Sequence, residues 1–429
     1  SSMDGAAVTG DFNTAVGQGS LRYVTSGAYN VALGNRALYN NTTGHSNIAV
    51  GPSALENNTT GYYNIGIGSY AVDATTFGIQ NIGIGYRTLH ANTTNSDNVA
   101  IGYYALGNST ASNLVAIGSY ALQSNTTGTQ NVGVGYNALG NNTIGYNNAA
   151  IGFNALGATT TGISNVGFGP YAGSSNTTGN YNIAIGTDAL RFATTAQYNV
   201  AVGTEALYNT TTSGYNTATG HQALRNNTTG AYNTAMGYIA LTSNTIGINN
   251  TVFGAYALYI NTTGSYNTAV GAYALRSTTT GAYNTAVGFN AMYSNTIGAH
   301  NVALGRLALE QNVTGDNNVA VGSYAMQANI SGTQNVAVGR TALSYNTYGA
   351  WNIAIGGGAA QLNSTGSSNV AVGYQSLYNN TTATFNTAIG YRSLFDNSTG
   401  SYCVAVGDSA LANNTVSNNT AVGWAALNA

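Results

Sequence analysis

The chain has 429 residues, among them 57 Gly, 32 Tyr, two Pro and one Cys. Charged residues are 5% of the total and the net charge is -2, with nine Arg and no Lys. Such a balance gives no field to steer nucleic acid or to insert into an anionic membrane. A single Cys excludes a disulfide framework, and no apolar run is long enough to span a bilayer.

In chain order, residues 1–12 read as a lead-in without the basic and apolar regions of a signal peptide. Residues 13–429 read as one continuous array. A Gly recurs at 17, 34, 51, 68, 85, 102 and 118, then every 17 residues to 407, and last at 423. Twenty-five copies leave 22 intervals of 17 and two of 16. The short ones, ending at Gly118 and Gly423, read as one-residue deletions in a surface turn.

We number each copy from this Gly as position 1. Position 5 is Leu in 20 copies, position 14 is Asn in 23, and position 16 is Ala in 20. Position 17 is large and apolar in all copies but one, Thr219. Positions 7 to 11 read Asn-Asn-Thr-Thr-Gly, as in Asn40–Gly44, and position 13 is often Tyr. Seventeen residues are too few for a helical hairpin repeat. The pattern predicts an all-β fold, a parallel β-solenoid (β-roll) of about 25 coils with no appreciable helix. Strands are expected at positions 14–17 and 3–6. Asn-Thr-Thr-Gly should form one turn, its Gly free to take positive φ, and the position 1 Gly should form a corner. Positions 15 and 17 are expected to fill the core and position 16 to face outward as a ladder of Ala. Disturbance is expected at Gly173, Thr219 and Ala360, where a large apolar residue is missing. Coils about 4.8 Å apart would give a rod of roughly 120 Å.

The stretches Asn47-Ile48-Ala49-Val50-Gly51-Pro52-Ser53-Ala54 and Asn318-Val319-Ala320-Val321-Gly322-Ser323-Tyr324-Ala325 resemble the head repeat of trimeric autotransporter adhesins. They are also similar to tail-fibre and cell-surface repeats that precede a self-cleaving chaperone. The resemblance covers about residues 13 to 427. It implies a left-handed parallel β-roll, a trimer and service as a binding rod. The adhesin head repeat is shorter, and the extra residues here fall in the Asn-Thr-Thr-Gly turn.

Little in the repeat suggests catalysis. His45, His90, His221 and His300 stand at different repeat positions, coils apart. The carboxylates, Glu56, Asp73 and Asp97 among them, are expected to stand apart too. Cys403 replaces a position 14 Asn and has no His beside it. No catalytic, cofactor or metal residue is assigned, and a non-enzyme is expected. Two polar features do recur. Position 14 Asn (Asn30, Asn47, Asn64, Asn81, Asn98, Asn131) is expected to form an amide ladder along the stack. Of 22 Asn-x-Ser/Thr sequons, 20 fall at position 7 or 8. Candidate N-glycosylation sites are Asn41, Asn58, Asn92, Asn125, Asn176, Asn227, Asn261, Asn363, Asn380 and Asn397, in a turn expected to be exposed.

The sequence therefore suggests a structural protein, a subunit of an extracellular fibre or cell-surface rod. Its partner would be itself, as a lateral trimer or an end-to-end filament, with covalent glycans but neither nucleic acid nor membrane insertion. Neither end shows a polar cap, which a solenoid needs for solubility, so the array is expected to continue or to stack end to end. The alternatives are an adhesin or tail-fibre shaft that binds a receptor or glycan, and an ice-binding solenoid that uses the Thr pairs at positions 9 and 10.

Overall fold

The computed structural model describes residues 10–428. The chain divides into two compact units, Ser1–Tyr215 and Asn216–Ala429. Both are parallel β-solenoids, and no helix occurs among the described residues. In the first unit, strands run from β1 (Thr14–Val16) to β12 (Val200–Val202), each pairing in parallel with the strand of the next coil. In the second they run from β13 (Thr217–Thr219) to β25 (Thr420–Val422) in the same fashion. The register follows the repeat, as in Val31↔Ile48, Ala32↔Ala49 and Leu33↔Val50.

Each coil contributes one strand, at positions 15–17. The expected second strand at positions 3–6 is absent. Positions 3 and 5 lie in the left-handed region, for example Arg36 at φ 58° and Leu38 at φ 50°. Two left-handed residues so close together wind the chain into consecutive turns and cannot extend. Position 13 is left-handed as well, as at Tyr63 (φ 57°). For a non-Gly residue this costs about 1–3 kcal/mol. It persists because the coils above and below fix the backbone: Leu38 N–H donates to Ala54 O at 3.0 Å, and Arg36 N–H to Gln18 O at 2.9 Å.

The strand presents the opposite face from the one expected. Position 16 points inward and is fully buried, as at Ala32, Ala49 and Ala100, while positions 15 and 17 point out. Volume decides this. Leu at position 5 lies across the same coil from position 16, so that a Cβ added at Gly66 would stand 3.2 Å from Leu55 Cγ. Ala fills the gap and larger residues rarely fit. The core is thus a narrow column of Ala at positions 4 and 16, Leu at position 5, and Asn at positions 8 and 14. Each buried Leu contributes about 1.5–3 kcal/mol. Thr219 sits on the outer side of β13, so it causes no disturbance there. Gly173 takes φ +60° with Leu156 Cδ2 filling the space beside it, and Ala360 stays buried.

The two kinds of recurring Gly serve different needs. At position 1, φ lies between 125° and 144° in every coil. At position 11 φ is not positive, contrary to expectation. Close approach requires Gly there instead: a Cβ on Gly281 would stand 2.5 Å from Gly298 O and 3.0 Å from Asn295 Nδ2. The 16-residue coils keep their strand pairing, with Asn98↔Leu114 in β6 (Asn98–Ile101) and β7 (Leu114–Ile117). Thr110 still donates to Thr126 O as a position 9 residue, and Ala111 O still accepts the Asn98 amide as position 11 does. The lost residue is therefore position 10, in the outer turn.

Candidate functional site

The interior holds two asparagine columns. At position 14, Asn47 Oδ1 accepts the backbone N–H of Asn64 at 2.9 Å. Asn47 Nδ2 donates to Asn30 Oδ1 at 3.1 Å and to Gly61 O at 2.8 Å. Asn81, Asn98 and Asn131 are buried in the same way, and each donates to the position 11 carbonyl of the next coil. The turns leave backbone groups without sheet partners, and these amides supply them. Leu114 and Cys403 interrupt the column. Cys403 is buried, with its thiol 3.3 Å from Val416 O.

The second column was not anticipated. The sequon pattern predicts an exposed Asn at position 8, but Asn41, Asn58, Asn92, Asn125, Asn176, Asn227, Asn261, Asn363, Asn380 and Asn397 are all buried. Their amides are engaged, as where Asn58 Nδ2 donates to Asn41 Oδ1 at 2.9 Å and Gly61 O at 3.0 Å. A sugar on such a nitrogen requires the coil to open. The neighbouring position 7 residues, such as Asn57 and Asn141, face solvent. The column also contains gaps. Asn58, Asn142, Asn261 and Asn380 leave a buried Oδ1 without a partner, the first three where the next coil carries Thr (Thr75, Thr159, Thr278) and Asn380 where the Asn397 amide is turned to Gly400. Thr278→Asn should close one gap, giving Asn261 Oδ1 the donor that Asn261 Nδ2 itself offers Asn244. The expected gain is about 1–3 kcal/mol, read as slower amide exchange around residues 261–295. Unchanged exchange would mean the orphaned oxygen costs nothing.

The outer side of the strands carries two columns of large residues, at positions 15 and 17. Ile151 is 45% exposed and Ile355 41%. In the first unit these columns are almost wholly Val, Ile, Leu and Phe. In the second, five consecutive position 15 residues are Thr, from Thr217 to Thr285, before Val and Ile resume.

A charged island interrupts this neutral surface. Glu56, Asp73 and His90 all stand at position 6 of successive coils, so the fold stacks residues that were expected to be scattered. The His90 imidazole donates from Nδ1 to Asp73 Oδ1 at 2.6 Å. Arg36 pairs with Glu56 and lies 4.4 Å over the Tyr39 ring. The Tyr39 phenol is lowered from its ordinary value by its hydrogen bond with Tyr23 and then by nearby Arg. Burial raises the Asp73 carboxyl above its ordinary 3.8, helped by Glu56 and opposed by His90. A carboxyl raised on folding binds its proton more tightly in the folded state. Its stabilising contribution is complete below 3.8 and is lost as pH rises through the raised value. The stability of the native chain minus that of Asp73→Asn should therefore decline from about pH 4 toward neutrality. Denaturant midpoints across that range test it, and a rising difference would contradict the assignment.

No group of three or more His, Cys, Asp or Glu could hold a metal among the described residues. The other histidines join aromatic stacks: His45 on Tyr62 (4.9 Å between centroids), His221 on Tyr238 (5.4 Å) and His300 on Tyr283 (4.9 Å). Beside the island runs an open trough of about 590 Å³, lined by Tyr23, Asn40, Thr42, Asn57, Thr59 and Thr76 among others. It lies between the position 7 and position 9 columns. No helix among the described residues is long and apolar enough to cross a membrane. Comparison with protein-family models and with curated proteins finds no match in either.

Proposed function

We propose that this chain is a non-enzymatic structural rod, a subunit of an extracellular fibre or cell-surface shaft that associates laterally with copies of itself. The outward apolar face of the strands carries this reading. A sheet apolar on both sides is ordinarily covered on both, and a continuous apolar surface of this extent marks an interaction site. A second rod presenting the same columns at the same rise would match it residue for residue. A trimer agrees with the resemblance of the repeat to autotransporter adhesin heads. Sedimentation equilibrium on the native chain should give a trimer, and Ile151→Asp with Ile185→Asp should weaken it without unfolding the coils. A native chain that stays monomeric at every concentration would overturn the proposal.

Two specific features support other readings. The trough of Asn and Thr favours a shaft that binds a glycan or receptor. The Thr run from Thr217 to Thr285 offers a rank suited to ice, although Met236 and Phe253 roughen the column beside it. Thermal hysteresis in dilute solution separates the ice reading from the rest.

A further inference from the structure

At position 13 the left-handed backbone holds aromatic rings in register from coil to coil. Tyr181, Tyr198 and Tyr215 stack with centroids 5.1 and 5.0 Å apart and planes within 15°. Tyr266 and Tyr283 stack at 4.9 Å and 2°. The backbone fixes each ring's root: Tyr198 N–H donates to Asn180 O at 3.1 Å, and Tyr283 N–H to Ser265 O at 3.1 Å. All five tyrosines are roughly half exposed, so an oxidant in solution can reach their edges.

Composition narrows the chemistry open to this chain. Without Lys it can form neither isopeptide nor lysine-derived aldehyde links, and its one thiol, Cys403, is buried. Phenols are the abundant side chains through which it can be joined covalently. We propose that the position 13 stacks are sites of oxidative tyrosine coupling, stapling one coil to the next. The co-reactant is a peroxide-driven one-electron oxidant, such as a haem peroxidase with hydrogen peroxide. Each phenol gives up one electron and one proton and becomes a phenoxyl radical. Two radicals join by a carbon–carbon bond between the positions ortho to oxygen. The two ortho hydrogens then move to the oxygens and restore both phenols. Two tyrosines thus lose two electrons and two protons, and one peroxide takes them up as two waters. The coupling partner is held in place, so the link forms within a chain and does not depend on lateral association.

The test treats the native full-length chain, at high dilution, with a haem peroxidase and hydrogen peroxide. Peptide mapping should find intrachain dityrosine, two hydrogens lighter per link, joining Tyr266 to Tyr283 and Tyr198 to Tyr181 or Tyr215. Tyr146 and Tyr345 are comparably exposed but have no ring partner among the described residues, and should couple several-fold less. Tyr266→Phe should abolish the second link and leave the first. Phe385 occupies position 13 in another coil, so the variant keeps the fold. The proposal is overturned by links as frequent at Tyr146 and Tyr345 as in the stacks. Equal yields from chain unfolded beforehand, coupling confined to contacts between chains, or tyrosines left unreacted would overturn it as well.

Discussion

Gly254→Val should destabilise its coil by about 3 kcal/mol or more. Gly254 has φ +142°, a conformation in which a β-branched residue is strained whatever the space around it. Space is lacking as well. A Cβ there would stand 2.5 Å from Gly271 O and 2.6 Å from Gly271 C. Neither atom can retreat, because Gly271 is pinned from both sides: its own N–H donates to Phe253 O at 2.7 Å beside Gly254, and Val270 O next to it accepts Gly288 N–H at 2.8 Å from the coil beyond. Coils couple only to their neighbours, so the damage should stay local. Amide exchange should quicken over roughly two coils on either side and remain slow elsewhere in the unit. Unchanged exchange near Gly254 would refute the corner assignment, and uniform loss of protection would refute the local coupling.

Asn284→Ala should have the other large effect. Asn284 Oδ1 accepts both the backbone N–H of Asn301 at 3.1 Å and its side-chain N–H at 3.2 Å. Its Nδ2 donates to Gly298 O at 2.8 Å. Truncation strands the buried Asn301 backbone N–H, at about 1–3 kcal/mol, and takes one partner each from Gly298 O and the Asn301 amide, which keep Asn295 Nδ2 and Gly315 O. Asn284→Leu should cost less, because Leu114 fills the equivalent slot at 0% exposure and excludes the space that Ala would leave empty. Thermal melts of the two variants order the contributions. If Leu is the worse, the slot is limited by volume and the hydrogen bonds matter less.

Much of this architecture is legible in the residues. The 17-residue spacing gives the stack and its register, and the near-invariant position 14 Asn gives a buried ladder. The inward face of the strand is not legible. Val-Ala-Val is apolar on both sides, so alternation has no polar face to point outward. Core width decides, and it depends on Leu at position 5 reaching across the coil. The left-handed turns at positions 3 and 5 carry no Gly signature, because the neighbouring coils impose them on Arg36 and Leu38. Asn40 and Asn41 look alike in sequence, yet one faces water and the other the core. Glu56, Asp73 and His90 were legible by counting alone, since all three fall at the same place in the repeat.

The interior amides also give each unit a sense of direction. Along a parallel stack the backbone bonds run both ways: Val31 N–H donates forward to Asn47 O, and Gly34 N–H back to Val16 O. The carboxamide oxygens do not alternate. At position 14 each Oδ1 faces the higher-numbered coil, and at position 8 Asn58 reaches back to Asn41 as Asn261 does to Asn244. The Thr hydroxyls at position 9 run the other way, but near the surface, where water screens them. Within each unit, almost without charge, the buried carboxamide oxygens of both columns thus face one way along the stack. Between any two coils these oxygens stand on the lower-numbered side, whereas amide hydrogens stand on both, since position 14 Nδ2 also reaches forward to the position 11 carbonyl.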